Sequence, residues 1–231
     1  MIKILGNIPD RVAVAVSGGP DSMAVLDFLR NNNRREVLAL HFNHGTEHAS
    51  EAEEFVLSYC EENKVPLVVG DLVRDKLKEE SMEEFWRNGR YSFFSDYFRL
   101  GLHGTTQTYN IDYDSLAHFC YSATPIVTCH HLDDVSQTWI FTALHGNPNL
   151  IPYKRDNFIR PFLSTEKKDL IEWADRKGVP YIIDPSNNDN KYMRNFIRNE
   201  LIPKCKVVNP GIKKTLRKKV LSLYNDNLLS F

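Results

Sequence analysis

Six consecutive residues near the amino end, Ser17-Gly18-Gly19-Pro20-Asp21-Ser22, contain the parts of an anion cradle. Two glycines let the backbone turn tightly and present successive amides. Two serines add hydroxyl donors, and a helix opening at Pro20 points its amino terminus at whatever sits there. Phosphate is the ligand this chemistry suits. No Gly-Lys-Ser/Thr follows, and the spacing is not G-x-G-x-x-G, so neither of those phosphate loops applies. Asp21 is the informative member. A bare carboxylate repels phosphate, so its presence makes sense if it holds a Mg2+ ion bridging phosphate oxygens. Arg87, Arg90, Arg194 and Arg198 carry guanidiniums suited to phosphate or an RNA backbone. Arg87 lies four residues after Glu83, so an ordinary helical ion pair competes with that role. His41, His44 and His48 lack an obvious cysteine or carboxylate partner, and a transition-metal site is not expected there.

The elements that must hold these residues can be read from hydrophobic patterning. Arg11–Val16 reads as a short buried strand running into the loop, with a helix after it that ends at Asn31-Asn32-Asn33. Glu36–Phe42 is a second strand, Glu51–Asn63 a helix, 66–69 a third strand, and Met82–Arg99 a helix rich in aromatics. Residues 125–129 form a fourth strand opening into a helix from Leu132 to Leu144. Beyond Arg160-Pro161-Phe162, a helix is expected over Glu166–Lys177 with Ser164 or Thr165 as its cap. Tyr181-Ile182-Ile183 reads as a strand, and Lys191–Leu201 and Ile212–Tyr224 as helices. Residues 100–123 break the pattern and suggest a long excursion or a small hairpin. Strand and helix alternate elsewhere without hairpin signals. The expected fold is α/β, a doubly wound, mostly parallel sheet with a short helical appendage at the carboxyl end. Ligands of such sheets bind at the carboxyl ends of the strands. The expected organisation is a catalytic domain over 1–203 and a basic helical tail over 204–231.

Composition narrows the setting. The chain has 231 residues, 29 Lys+Arg against 30 Asp+Glu, and 42% hydrophobic residues, as an ordinary globular protein does. That balance excludes a polycation that coats nucleic acid. The charge is unevenly spread, because residues 191–231 hold 10 of the basic groups and only 2 of the acidic ones. A basic end on an acidic body suggests a local anionic partner such as RNA. Cys60, Cys120, Cys129 and Cys205 contain no C-x-x-C pair, which argues against a zinc ribbon or a redox couple. No apolar run approaches bilayer length, and no signal-peptide pattern opens the chain, so a cytoplasmic protein without membrane attachment is expected.

The S-G-G-x-D-S loop placed directly after a first strand resembles the pyrophosphate-binding motif of the N-type ATP pyrophosphatase (PP-loop) superfamily. Four more stretches narrow the resemblance: His41-Phe42-Asn43-His44-Gly45, Glu83 through Tyr91 (EEFWRNGRY), His130-His131-Leu132-Asp133-Asp134, and Asp184-Pro185-Ser186-Asn187 followed by Tyr192 through Arg198 (YMRNFIR). In this order they look like the catalytic domain of the tRNA(Ile)-lysidine synthetase family, over roughly residues 10–205.

The resemblance implies a Rossmann-like fold of the adenine nucleotide alpha hydrolase type. It also implies a reaction in which ATP activates C2 of the wobble cytidine in an isoleucine tRNA with a CAU anticodon. The ε-amine of L-lysine then displaces AMP. It implies ATP on Ser17–Ser22, with His41 and Asn43 beside the nucleotide, and Mg2+ shared by Asp21 and Asp134. His130 would serve a phosphate or the developing adenylate. Glu83, Arg87, Arg90, Arg194 and Arg198 fall to the RNA side. His131 and Asp133 are either functional or simple helix caps.

Several positions depart from the family pattern. Thr46-Glu47 stands where Leu-Arg is usual, and Gln137 stands where a glutamate is usual, which bears on lysine recognition. The chain ends about where the catalytic domain ends, and Lys204–Lys219 could supply part of the RNA grip. A tRNA thiolase-like enzyme and an ATP- or tRNA-binding protein without turnover are the alternative readings.

Overall fold

The computed structural model describes all residues except 32–33, 47, 99–105, 122–123, 186–188 and 230–231. The sheet is seeded by β1 (Arg11–Val16), whose alternating small and branched residues are nearly all buried. A central parallel strand is covered on both faces and so reads as a continuous apolar run. β2 (Glu36–Asn43) pairs in parallel with β1, and β3 (Leu67–Asp71) with β2. On the other side β5 (Ile126–Val127) joins β1, and β7 (Phe158–Ile159) joins β5, both parallel. Two antiparallel edges close the sheet: β4 (Thr106–Tyr109) on β3 and β6 (Lys154–Arg155) on β7. The order is β4-β3-β2-β1-β5-β7-β6. The chain leaves β1 towards β2 on one side and later returns to β5 on the other. The carboxyl ends of β1 and β5 therefore form the topological switch point where such sheets bind ligands.

Period-two alternation decides which helix covers which face. Val12, Val14 and Val16 face one layer, with α1 (Pro20–Arg30), α2 (Ala49–Glu62) and α6 (Lys167–Lys177) contributing Met23, Leu26, Val56, Cys60, Leu170 and Ala174. Ala13, Leu38, Leu40 and Val68 face the other, covered by Phe94 of α3 (Met82–Phe98) and by Leu116 and Phe119 of α4 (Tyr113–Tyr121). Side-chain burial of this kind contributes about 25 cal/mol per Å2 of apolar surface removed from water, and here it fixes both layers.

α5 (Leu132–Leu144) packs beside α9 (Ile212–Leu229) around Leu132, Val135, Leu163, Leu216 and Val220. Gly6 lies under this helix with φ +73°; a Cβ there would sit 2.7 Å from the Tyr224 hydroxyl and 2.8 Å from that of Tyr153.

The structure differs from the sequence expectations at five places. Tyr181-Ile182-Ile183 is not a strand, because it has no ladder partner; the Ile182 N–H donates instead to Gly18 O at 3.0 Å. β6 and β7 form a hairpin that the sequence reading lacked, with Asp156 at φ +54° in its turn. Within 100–123, the described part is the edge strand β4 followed by α4. Residues 191–201 are not one regular helix: α7 (Met193–Phe196) passes into a π-helical turn over Ile197–Leu201, and α8 (Ile202–Val208) follows. Ser164 and Thr165 do not cap α6, since both hydroxyls donate to Lys3 O and the cap residue is Glu166. Asn32-Asn33, Glu47 and Ser186-Asn187, named above, lie outside the described residues.

Candidate active site

The loop after β1 is shaped by its own serines. The Ser17 N–H donates to Ser22 Oγ at 3.1 Å, the Ser22 hydroxyl donates to Gly19 O at 3.0 Å, and the two hydroxyl oxygens are 3.2 Å apart. Gly18 has φ +79°, and a Cβ there would meet the Ile182 side chain at 3.2 Å. The extended 181–183 segment thus props the loop from outside. Gly19 is the N-cap of α1 and supplies no side-chain cap, and Pro20 has no N–H to lose. The first-turn amides of α1 are left for a ligand, with the positive end of the helix dipole behind them.

Asp21, in that first turn, meets residues from the other side of the switch point. Its Oδ2 accepts from Lys167 Nζ at 3.0 Å and stands 3.5 Å from His131 Nε2. The other ring nitrogen of His131, Nδ1, lies 3.3 Å from Asp134 Oδ2, which also accepts the His131 backbone N–H at 2.9 Å. One buried imidazole therefore has Asp21 at one nitrogen and Asp134 at the other. Burial alone would pull His131 down, but Asp134, Asp21 and Asp133 outweigh it and hold the ring above the ordinary histidine value. Burial likewise pushes Asp21 up, and His131 with Lys167 reverses this and leaves it below the usual carboxylate range.

Asp21 Oδ1 is buried and has no hydrogen-bond partner. An orphaned carboxylate oxygen beside a phosphate loop fits a Mg2+ ion. Among the described residues no three His, Cys, Asp or Glu side chains are grouped to hold a metal unaided. A Mg2+ here would draw most of its ligands from phosphate and water, as this ion commonly does.

Asp133, which the sequence left open, is a helix cap for a different helix. Its Oδ2 accepts the Lys167 N–H that opens α6 at 3.0 Å, and its Oδ1 meets Lys213 Nζ of α9 at 2.5 Å. Glu166 continues the network to Lys213 at 3.4 Å and Arg217 at 2.8 Å, and Arg217 Nε donates to Ser164 O at 3.0 Å. Two cations of the basic tail are thereby committed inside the protein. Lys214, Lys218 and Lys219 remain exposed.

A cationic group adjoins this paired network. His130 follows β5 with Nδ1 2.9 Å from Thr128 Oγ1. Burial takes its imidazole down to about 4; Asp134 opposes, and the guanidiniums of Arg160, Arg90 and Arg194 push further in the same direction as burial. His130 is therefore neutral at physiological pH, and three arginines from three separate elements bear on it. Burial, Arg194 and Arg87 also lower Arg90, against Tyr91. Among the described residues, none of Arg87, Arg90, Arg160 and Arg194 is ion-paired with a carboxylate. The rival Glu83–Arg87 pair is not formed: Glu83 is exposed and Arg87 lies 5.7 Å over the Tyr91 ring. Arg198 sits half-buried in the π-helical turn.

His41 is buried at the end of β2 with Nδ1 3.0 Å from Val16 O, beside the phosphate loop, and its Nε2 has no partner. Asn43 turns the chain after β2: Oδ1 accepts the Gly45 N–H at 2.8 Å and Nδ2 donates to Glu53 at 2.6 Å. Gln137, one turn beyond Asp133-Asp134, is buried with both amide atoms unpartnered.

Sequence reasoning missed Lys167 and Arg160. Arg160 is 4% exposed at the carboxyl end of β7, with Nη1 donating to Pro152 O at 3.1 Å. Its burial beyond a two-residue strand is a property of the fold and left no local signal. Lys167 carries no local signature.

Comparison with known proteins agrees with this geometry. A PP-loop domain family model matches residues 3–103 and 105–205. The chain is 32% identical over 222 residues to a tRNA(Ile)-lysidine synthase of Thermotoga sp. (strain RQ2), covering 91% of this chain and 49% of that protein. It is 32% identical over 211 residues to the tRNA(Ile)-lysidine synthase of Staphylococcus aureus (strain MRSA252), covering 85% and 44%. The chain thus spans about half the length of these curated relatives. A U34-tRNA thiolase from Methanococcus maripaludis shares the fold, with a TM-score of 0.66 over 95% of this chain and 74% of that one at 14% identity. Among the described residues no helix is long and apolar enough to cross a membrane. A phosphate loop at the switch point of a doubly wound sheet, matched by that model over nearly the whole length, places the chain in the PP-loop domain family.

Proposed function

We propose that the chain is the ATP-using part of a tRNA-modifying ligase of the lysidine type. In the reaction, the C2 oxygen of the wobble cytidine in a CAU-anticodon isoleucine tRNA attacks the α-phosphorus of ATP, and pyrophosphate leaves. The ε-amine of L-lysine then attacks C2, and AMP departs with the oxygen. The observation that carries this reading is the meeting, at one switch point, of a charge-balanced carboxylate cluster beside the phosphate loop and a group of arginines around His130. Asp21, His131 and Lys167 lie on the phosphate-loop side, and neutral His130 lies on the other among Arg90, Arg160 and Arg194.

In this reading the backbone amides of Gly18, Gly19, Asp21 and Ser22 and the Ser17 hydroxyl hold the β- and γ-phosphates, with Pro20 setting the helix start and the Ser17 N–H and Ser22 hydroxyl shaping the loop. His41 and Asn43 border the nucleoside. Asp21 and Asp134 are the carboxylates available to Mg2+, which when bound neutralises phosphate charge. Asp134 also keeps the His131 turn in place through the backbone N–H. His130, being neutral, acts as a hydrogen-bonding group towards the adenylate rather than as a cation. Arg87, Arg90 and Arg194, with Arg198 at the margin, hold the RNA strand against the site.

Incubating the protein with ATP, L-lysine and a CAU-anticodon tRNA should release AMP and pyrophosphate and add the mass of lysine less water to one cytidine. ATP and tRNA binding without pyrophosphate release under any amino-acid mixture would overturn the ligase reading.

A further inference from the structure

At the carboxyl edge of the sheet, three aromatic rings from three different elements meet outside the hydrophobic core. Trp86 of α3 has its ring centroid 6.5 Å from Tyr192, which opens α7, with 49° between planes. The His44 ring, just after β2, lies 6.4 Å from Trp86 and packs edge-on against Phe42 at 5.0 Å. Trp86 and Tyr192 are half-buried, and neither belongs to any of the hydrophobic clusters that build the layers. Two half-buried rings that stand outside the described apolar clusters, anchored through His44 on Phe42, offer a stacking face to a flat partner.

The charge around these rings identifies the partner. Arg87 and Arg90 follow Trp86 on α3, Arg194 follows Tyr192, and Lys191 Nζ lies 5.0 Å over the Tyr192 ring. Arg90 and Arg194 also bear on His130, so the rings stand beside the reacting end of the site. Aromatic faces interleaved with guanidiniums are how proteins take an unpaired nucleotide: the base stacks, and the phosphates on either side meet the cations. ATP presents its phosphates to the Ser17–Ser22 loop, which has its own donors, so the arginines beside the rings serve a second phosphate-bearing strand.

We propose that Trp86 and Tyr192 form the stacking slot for an unpaired base of the RNA, with Arg87, Arg90 and Arg194 on its flanking phosphates. This rests on the RNA-modifying reading above for the class of substrate. Chemistry on a base requires that base to be out of its stack, and an aromatic slot beside the catalytic groups offsets the cost of unstacking.

The test titrates the full chain with three probes, a CAU anticodon stem-loop RNA, a fully paired RNA duplex of the same length, and ATP alone, reading tryptophan fluorescence. Trp139 and Trp173 give a constant background, measured in Trp86→Phe. The stem-loop should quench Trp86 emission, and the duplex and ATP should not. Trp86→Ala and Tyr192→Ala should each weaken stem-loop binding on the order of tenfold, Trp86→Phe should restore most of it, and Trp86→Leu, which keeps apolar volume without a stacking face, should not. Rescue by Phe but not by Leu separates stacking from packing, and thermal melts confirm that each variant is folded. The proposal is overturned if the stem-loop fails to bind, if it leaves Trp86 unquenched, if ATP alone quenches as strongly, or if Leu serves as well as Phe. Quenching without lysine transfer would leave the slot standing and sink the ligase reading. Lysine transfer without quenching would do the reverse.

Discussion

Lys167, the first residue of α6, places its ammonium 3.0 Å from Asp21 Oδ2 in the loop after β1. The contact joins residues 146 apart in sequence, across the face where α1 and α6 pack. It neutralises one oxygen of a carboxylate that must coexist with phosphate, while the other oxygen stays unpartnered.

Lys167→Met should therefore raise the repulsion between Asp21 and the nucleotide. A charge-assisted hydrogen bond is worth about 1.5–3 kcal/mol, so kcat/KM for ATP in pyrophosphate release should fall about 10- to 100-fold. Lys167→Arg should recover part of that loss. Thermal stability should change little, because the pair is partly exposed to solvent. Unchanged ATP kinetics in Lys167→Met would refute the role.

The carboxyl-terminal helix should influence the same site from behind. Lys213 meets Asp133 and Glu166, and Arg217 meets Glu166, while Asp133 holds the N–H of Lys167. Lys213→Ala and Arg217→Ala should each cost about 1–2 kcal/mol in urea unfolding. The double variant should cost less than their sum, since both share Glu166. Strict additivity would show that the network is not a unit.

Gln137 offers a trade between stability and function. A buried amide with neither end bonded costs about 1–3 kcal/mol, so Gln137→Met should raise the Tm of the free protein. If the amide is satisfied by substrate, the same variant should lose turnover. A lower Tm with full turnover would contradict both halves.

Stability should fall as pH drops from about 6.5 towards about 4. Burial brings His44 down to about 4, with Arg90 and His41 adding to it, and His130 reaches about 4 as well. A histidine whose folded value is depressed binds its proton first in the unfolded chain, so acidification through that window favours unfolding. His131 has the opposite sign: its contribution is complete below 6.5 and is lost as pH rises through its raised value. Asp21 and Asp133, held low, lose theirs only under the ordinary carboxylate range. His44→Phe should flatten the decline in Tm between pH 6.5 and 4; an unchanged slope would remove His44 from the account.

The parts of this protein that were legible in sequence are those whose information is local. Arg11–Val16, the six-residue loop and the start of α5 after His130-His131 each carry their own pattern, and the structure has them in place. Tyr181-Ile182-Ile183 misled because apolar, β-favouring residues describe an extended chain but not a neighbour. The outer edge of β7 was already taken by β6, and Ile182 bonds the loop instead. The β6–β7 hairpin was invisible because two-residue strands have no measurable period. Lys167 and Arg160 needed the tertiary fold, since each acts on a residue far away in sequence. The basic tail misled in another way: composition counted Lys213 and Arg217 as free charge, and the fold committed both to Asp133 and Glu166.

In the proposed reaction ATP adenylates an RNA base at the switch point, and lysine is the second substrate. The most direct measurement supplies α-32P-labelled ATP and CAU-anticodon tRNA without lysine, and then adds lysine. Label should become covalently attached to the tRNA, be lost as AMP when lysine is added, and never attach in Asp21→Ala. Label that remains on ATP, or is released as AMP without ever attaching to RNA, would contradict that reaction.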